Sequence, residues 1–167
     1  VTAAAPTPVG AIPHIEIVGS KFFNSGNGEQ FFMKGIAYQP SRSLQDLESM
    51  EETSETKYID PLADPNICLR DIPYLKDLHV NTVRVYSIDP NKDHEICMNA
   101  LADAGIYALL DLAEPDTSIA RNNPTWDVRI WKRYKDVVDS MHQYPNTLGF
   151  FAGNEVTNDR TNTDASP

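Results

Sequence analysis

The stretch Thr147-Leu148-Gly149-Phe150-Phe151-Ala152-Gly153-Asn154-Glu155 decides how the chain folds. It is a run of apolar and small residues that ends abruptly in an amide and a carboxylate. Pro145-Asn146 stand before it and polar residues after it. Such a run predicts a strand buried on both faces, as in a parallel sheet. A carboxylate at the C-terminal tip of that strand is poorly placed for packing. It is well placed for chemistry, because parallel barrels build their sites at that face. Glu155 is therefore the first candidate catalytic residue, as an acid/base.

Working back from this strand, the same pattern repeats. Asn123-Pro124 predicts the start of a long helix running to about Tyr144, with Val128, Trp131, Tyr134 or Lys135, Val138 and Met141 on its inner face. Ile106 to Leu112 reads as a strand. Asp93 to Ala104 reads as a helix with Ile96, Cys97, Leu101 and Ala104 inward, closed by Gly105. Val80 to Tyr86 is a strand rich in β-branched residues. Asp64-Pro65 starts a helical turn and Asp71-Ile72-Pro73 repeats the signal, with Ile72, Leu75 and Leu78 on one face. Further back, Gln30 to Tyr38 reads as the first barrel strand. Ile15-Glu16-Ile17-Val18 and Lys21-Phe22-Phe23-Asn24, joined by Gly19-Ser20, predict a hairpin that caps a barrel floor. Between Gln39 and Ala63 lies a long polar segment whose glutamates form a solvated acidic face. Residues 1–14 are expected to be a mobile leader left after signal removal, and residues 15–167 one catalytic half-domain.

Strand–helix alternation predicts an α/β fold with a parallel sheet and right-handed crossovers. Both an open doubly wound sheet and part of an eight-stranded barrel satisfy it. No Gly-x-Gly-x-x-Gly follows a strand and no Walker-type loop is present, so no nucleotide cofactor is expected. The balance of 24 Asp and Glu against 14 Lys and Arg, a net charge of -10, argues against nucleic acid as a partner. The strand tips bring together Tyr38-Gln39, Tyr86, Asp111 with Glu114 beyond it, and Asn154-Glu155. Carboxylates, amides and phenols suit a polyhydroxylated ligand. No nucleophilic Ser or Cys and no His pair at metal-ligand spacing joins them. His14, His79, His94 and His142 read as surface or helix-end residues, and Trp126 and Trp131 as packing. Cys68 and Cys97 fit either buried free thiols or one disulfide.

Several motifs resemble one family. Gly149 to Asn158 looks like the acid/base segment of the fungal β-1,3-glucanosyltransferases, glycoside hydrolase family 72. Gly35-Ile36-Ala37-Tyr38-Gln39-Pro40, Cys68 to Leu75, Asn81-Thr82-Val83-Arg84-Val85-Tyr86 and Thr161 to Ser166 resemble it too. The likeness runs from about Ile15 to Pro167. It implies a (β/α)8 TIM barrel, of which this chain carries the hairpin and roughly the first four β/α units. It implies a retaining transglycosylase that cuts β-1,3-glucan internally and passes the new reducing end to another glucan chain. Under the resemblance Glu155 is the general acid/base, Asn154 binds beside it, and Gln39, Tyr86 and Asp111 line the donor groove. Cys68 and Cys97 match a family disulfide. The implied partners are β-1,3-glucan donor and acceptor chains, the remainder of the catalytic domain, and a membrane reached through a GPI anchor. The implied location is secreted, at the cell surface or wall. The family's nucleophile sits on the seventh strand, so none is expected among these residues. Two other readings stand beside this one: an endo-β-1,3-glucanase of the same clan, and a non-catalytic glucan-binding wall protein.

Overall fold

The computed structural model describes residues 12–40, 59–114, 116–121 and 123–157. Most of the expected leader, most of the acidic segment and the Thr161–Ser166 motif lie outside the described residues. Ile15–Val18 (β1), Lys21–Asn24 (β2) and Gln30–Phe31 (β3) form a three-stranded antiparallel sheet in that order. Ile17 faces Phe22, which faces Phe31, and the Phe31 ring meets Tyr107 edge-on at 5.3 Å. This contact seats the hairpin against the N-terminal end of the main sheet. Ile12 is buried, and the Pro13 carbonyl accepts a hydrogen bond from the Tyr107 hydroxyl, so residues 12–14 dock there too.

The main sheet is four-stranded and parallel: Gly35–Ala37 (β4), Thr82–Val85 (β5), Tyr107–Asp111 (β6) and Thr147–Phe151 (β7), in chain order. Pro65–Asp77 (α1), Glu95–Asp103 (α2) and Val128–Met141 (α3) connect them. Successive parallel neighbours joined by helices make an α/β sheet consistent with part of a barrel of β/α units. Val83, Val85, Ala108 and Leu110 point toward the helices and are buried with Ile72, Leu75, Met98, Leu101, Val137 and Met141. The alternate residues, Arg84, Leu109 and Asp111, take the other face, as the two-residue period of a strand requires.

Several expectations change in detail. The first barrel strand divides in two: Gln30–Phe31 joins the hairpin and only Gly35–Ala37 joins the parallel sheet. Helix α1 is one continuous helix capped by Asp64, whose carboxylate accepts from Asn66 N at 3.0 Å, and Pro73 lies inside it. Pro73 removes the bond to the Leu69 carbonyl, but both residues lie on the exposed face, where the loss costs less than in the core. Helix α3 starts at Val128 because Asp127 accepts from both Arg129 N and Ile130 N, at 2.8 and 3.0 Å. Its buried face is therefore Ile130, Tyr134, Val137 and Met141, and Val128 and Trp131 are exposed. Leu78, Ile96 and Trp126 are exposed as well. Leu78 is the residue that ends α1 rather than part of its inner face.

Gly105 ends α2 with φ +75°, the left-handed cap expected of it. Cys68 in α1 and Cys97 in α2 form a disulfide, both side chains about 1% exposed. His94 is a helix-end residue as expected, yet it is buried. Its Nε2 lies 2.8 Å from Asp60 Oδ2. Asp60 also accepts from Leu62 N at 2.9 Å and Asp89 N at 2.7 Å, tying three segments to one buried carboxylate. Asp60→Ala is expected to lower stability by roughly 2–3 kcal/mol, because it leaves buried donors without acceptors. Urea unfolding checks this; a loss under about 0.5 kcal/mol would mean that water replaces the carboxylate.

Candidate active site

The site forms at the C-terminal tips of the parallel strands, where their inner-face residues meet. Arg84 is its centre. A charged residue in the middle of Thr82-Val83-Arg84-Val85 has to be matched by an opposite charge on the next strand. Asp111, at the end of β6, supplies it. Arg84 Nε donates to Asp111 Oδ1 at 3.0 Å and Nη2 to Oδ2 at 2.9 Å. This is a two-pronged pairing with the carboxylate side chain only 5% exposed. The same Nη2 donates to Asn154 Oδ1 at 2.9 Å. The guanidinium lies between two rings, 4.4 Å from the Tyr86 centroid and 4.3 Å from that of Phe151. Hydrogen bonding from Asp111 pushes the Arg84 guanidinium above its ordinary range, outweighing partial burial, and the negative charge of Glu155 adds to the effect.

Beyond Phe151 the chain leaves the sheet through Ala152 and Gly153. Helix α3 fixes this exit: the Tyr134 hydroxyl donates to the Ala152 carbonyl, and the Trp126 ring packs edge-on against Tyr134. Burial, then the charge of Asp111, push the Tyr134 phenol up. Gly153 is in a tight place: a Cβ there would sit 2.5 Å from Val156 Cγ2, so either that side chain or the backbone has to shift. Gly153→Ala is expected to lower catalytic rate ~10- to 100-fold by displacing the next two residues. Steady-state kinetics beside a melting curve check it; an unchanged rate would show that Val156 moves instead.

Glu155 adopts φ +51°, a left-handed conformation unusual for its type. Its side chain is 67% exposed. Arg121, in the connection between β6 and α3, holds it twice: Nε donates to the Glu155 carbonyl at 2.6 Å and Nη2 to Oε2 at 3.2 Å. Asn154 is exposed beside it. The carboxylate thus stands free of the core, paired with Arg121 and near enough to Arg84 for its charge to be felt there.

The structure brings Tyr86, Asp111, Asn154 and Glu155 to one face. Gln39 follows β4 on the same edge and is exposed. Asp111 is nearly buried, and both its oxygens are occupied by Arg84, so it braces the lining rather than presenting itself to solvent. One face of the Tyr86 ring is covered by Arg84. Tyr38 leaves the group altogether: it is 6% exposed and its hydroxyl donates to Asp71 Oδ2 at 3.0 Å, so burial and the Asp71 charge push its phenol strongly up. Glu114 is partly solvated and lies 3.6 Å from Arg133 Nη1. That arginine also donates to the Ile88 carbonyl at 2.6 Å and the Leu112 carbonyl at 3.3 Å, joining the loops that follow β5 and β6. Sequence reasoning missed Arg84, Arg121 and Arg133. Only Arg84 carried a signal, a charge inside a β-branched strand.

Among the described residues no cluster of His, Cys, Asp or Glu is arranged to hold a metal, and no helix is long and apolar enough to cross a membrane.

The glucanosyltransferase model of glycoside hydrolase family 72 matches residues 5–167. The 1,3-beta-glucanosyltransferase GAS2 of Saccharomyces cerevisiae is 65% identical over 155 residues, which make up 93% of this chain and 28% of that protein. The 1,3-beta-glucanosyltransferase PGA5 of Candida albicans is 58% identical, over 93% of this chain and 24% of that protein. The chain therefore spans less than a third of the length of these curated relatives. Among solved structures, Saccharomyces cerevisiae Gas2p in complex with laminaripentaose superposes with a TM-score of 0.82 at 64% identity, covering 92% of this chain and 34% of that one. A match across nearly the whole chain, with the strand-tip residues on one face, places the chain in the glucanosyltransferase family, glycoside hydrolase family 72.

Proposed function

We propose that this chain supplies the first four strand–helix units of a (β/α)8 barrel that acts as a β-1,3-glucanosyltransferase. The whole protein cuts a β-1,3-glucan donor internally and passes the new reducing end to a second glucan. What supports this most is the likeness to a Gas2p structure holding laminaripentaose, at 64% identity. Glu155 is the acid/base. As the acid it protonates the departing glycosidic oxygen while a second carboxylate forms the glycosyl-enzyme bond. As the base it then takes the proton from the acceptor hydroxyl. The nucleophile belongs to the remaining strands of the barrel, about 5 to 5.5 Å from Glu155 in a retaining enzyme. Asn154, Tyr86 and Gln39 face the donor sugar, and Asp111 supports them through Arg84. No cofactor takes part.

Residues 15–167 are then the N-terminal half of the catalytic domain, with residues 12–14 docked against it rather than part of a free leader. The Cys68–Cys97 disulfide fits an oxidising compartment, and with it secretion and a GPI-anchored place at the cell surface or wall. Product analysis of the full-length protein with laminari-oligosaccharides tests the activity. Chains longer than the substrate are expected. Shorter chains alone would make it an endo-β-1,3-glucanase. Binding without products would make it a wall-binding protein.

A further inference from the structure

We propose that Arg84 is the positioning residue of this site: braced by Asp111, its guanidinium takes the side-chain oxygen of Asn154 and so holds the Asn154 amide NH2 toward the groove as a fixed donor. This rests on the glucan-site reading given above.

Arginine carries donors only. The Asn154 atom 2.9 Å from Nη2 is therefore Oδ1, and Nδ2 is turned away from the guanidinium. An exposed asparagine without such a partner turns freely about its last torsion and presents either end to a ligand. Here that choice is removed. The guanidinium cannot rotate to follow a ligand, because Nε and Nη2 hold the two oxygens of Asp111 and the Tyr86 and Phe151 rings confine its plane. Asp111 is itself packed in at the end of β6. Three strands, β5, β6 and the exit from β7, are thus combined into one oriented N–H pair beside Glu155.

The consequence is chemical. Asn154 presents its two N–H donors to the ligand first, since Arg84 already occupies one lone pair of Oδ1. The group it recognises is an acceptor oxygen on the sugar next to the bond being cut. A lysine at position 84 keeps the charge. As a single ammonium, it does not span both Asp111 oxygens and the Asn154 oxygen in one plane.

Transfer kinetics and melting curves of the full-length protein test this with laminari-oligosaccharides. Asn154→Asp keeps an oxygen for Arg84 but replaces the NH2 with a charged acceptor, so kcat is expected to fall ~100-fold or more. Arg84→Lys is expected to lower kcat by a similar factor, with KM changed by less than about threefold. In an Asn154→Ala background the same Arg84→Lys change should cost less than about threefold in kcat, because the group it positions is gone. A merely structural role predicts equal losses in both backgrounds, and that result overturns the proposal. So does wild-type kcat in Asn154→Asp. An arm without activity separates this idea from the functional one. In protein labelled with 15N-asparagine, the Asn154 side-chain amide signals are expected to shift in Arg84→Lys; unshifted signals overturn the positioning role even if transfer is confirmed. A wild-type protein that makes no product sinks the transferase reading alone.

Discussion

Glu155→Gln is expected to reduce β-1,3-glucan transfer by ~10³-fold, within the range typical of a lost general acid/base. The change removes a proton donor and acceptor and little else. Glu155 is mostly exposed and contacts Arg121 through one carboxylate oxygen and its backbone carbonyl, so the amide keeps the fold and most of the contact. Melting temperature should stay within a few degrees. Glycosylation of the enzyme from an aryl laminarioside with an acidic phenol should suffer far less, because that leaving group departs without a proton. Elongation of laminari-oligosaccharides, followed by product length, measures the main effect. Transfer within tenfold of wild type in Glu155→Gln would remove Glu155 from the chemistry.

The second large effect concerns stability. Cys68 and Cys97 close a loop 29 residues apart in sequence. In the chain-entropy account a loop of that length is worth about 3–4 kcal/mol. The bond joins α1 to α2 next to the buried Asp60–His94 pair, with Cys97 Sγ 3.9 Å from the Pro61 carbonyl oxygen. Cys68→Ala with Cys97→Ala is expected to lower the melting temperature by roughly 10 °C. A reductant should reproduce the shift in the wild type and have no effect on the double variant. A shift under about 2 °C would mean that packing of the two helices, not the cross-link, sets their separation.

Much of this architecture was legible in the chain. The order of strands and helices followed from apolar runs bounded by Asp-Pro, Asn-Pro and Gly signals, and β5, β6 and β7 fell within the stretches expected. Helix faces were less legible. Val128 and Trp131 are apolar and well spaced, but Asp127 starts the helix and the core takes Ile130, Tyr134, Val137 and Met141 instead. Pro73 read as a start signal, and it lies mid-helix because its missing N–H costs little on an exposed face. At the site, the motif located Glu155 and Asn154. It did not reveal that Tyr38 turns to Asp71 or that Asp111 is committed to Arg84. Those outcomes depend on which residue of each strand points inward and on what stands opposite. Pairing of that kind lies between segments of chain, 27 residues apart for Arg84 and Asp111 and 70 for Arg84 and Asn154.

The left-handed backbone of Glu155, φ +51°, sets a limit on how this protein can be improved. A glycine there would relax the chain by ~1 kcal/mol. Selection for thermal resistance alone would therefore favour losing the side chain proposed as the acid/base. A library screened for heat tolerance without an activity screen should accumulate Gly or Asn at position 155, yielding sturdier proteins without the proposed acid/base. Robustness and work are opposed at this single residue.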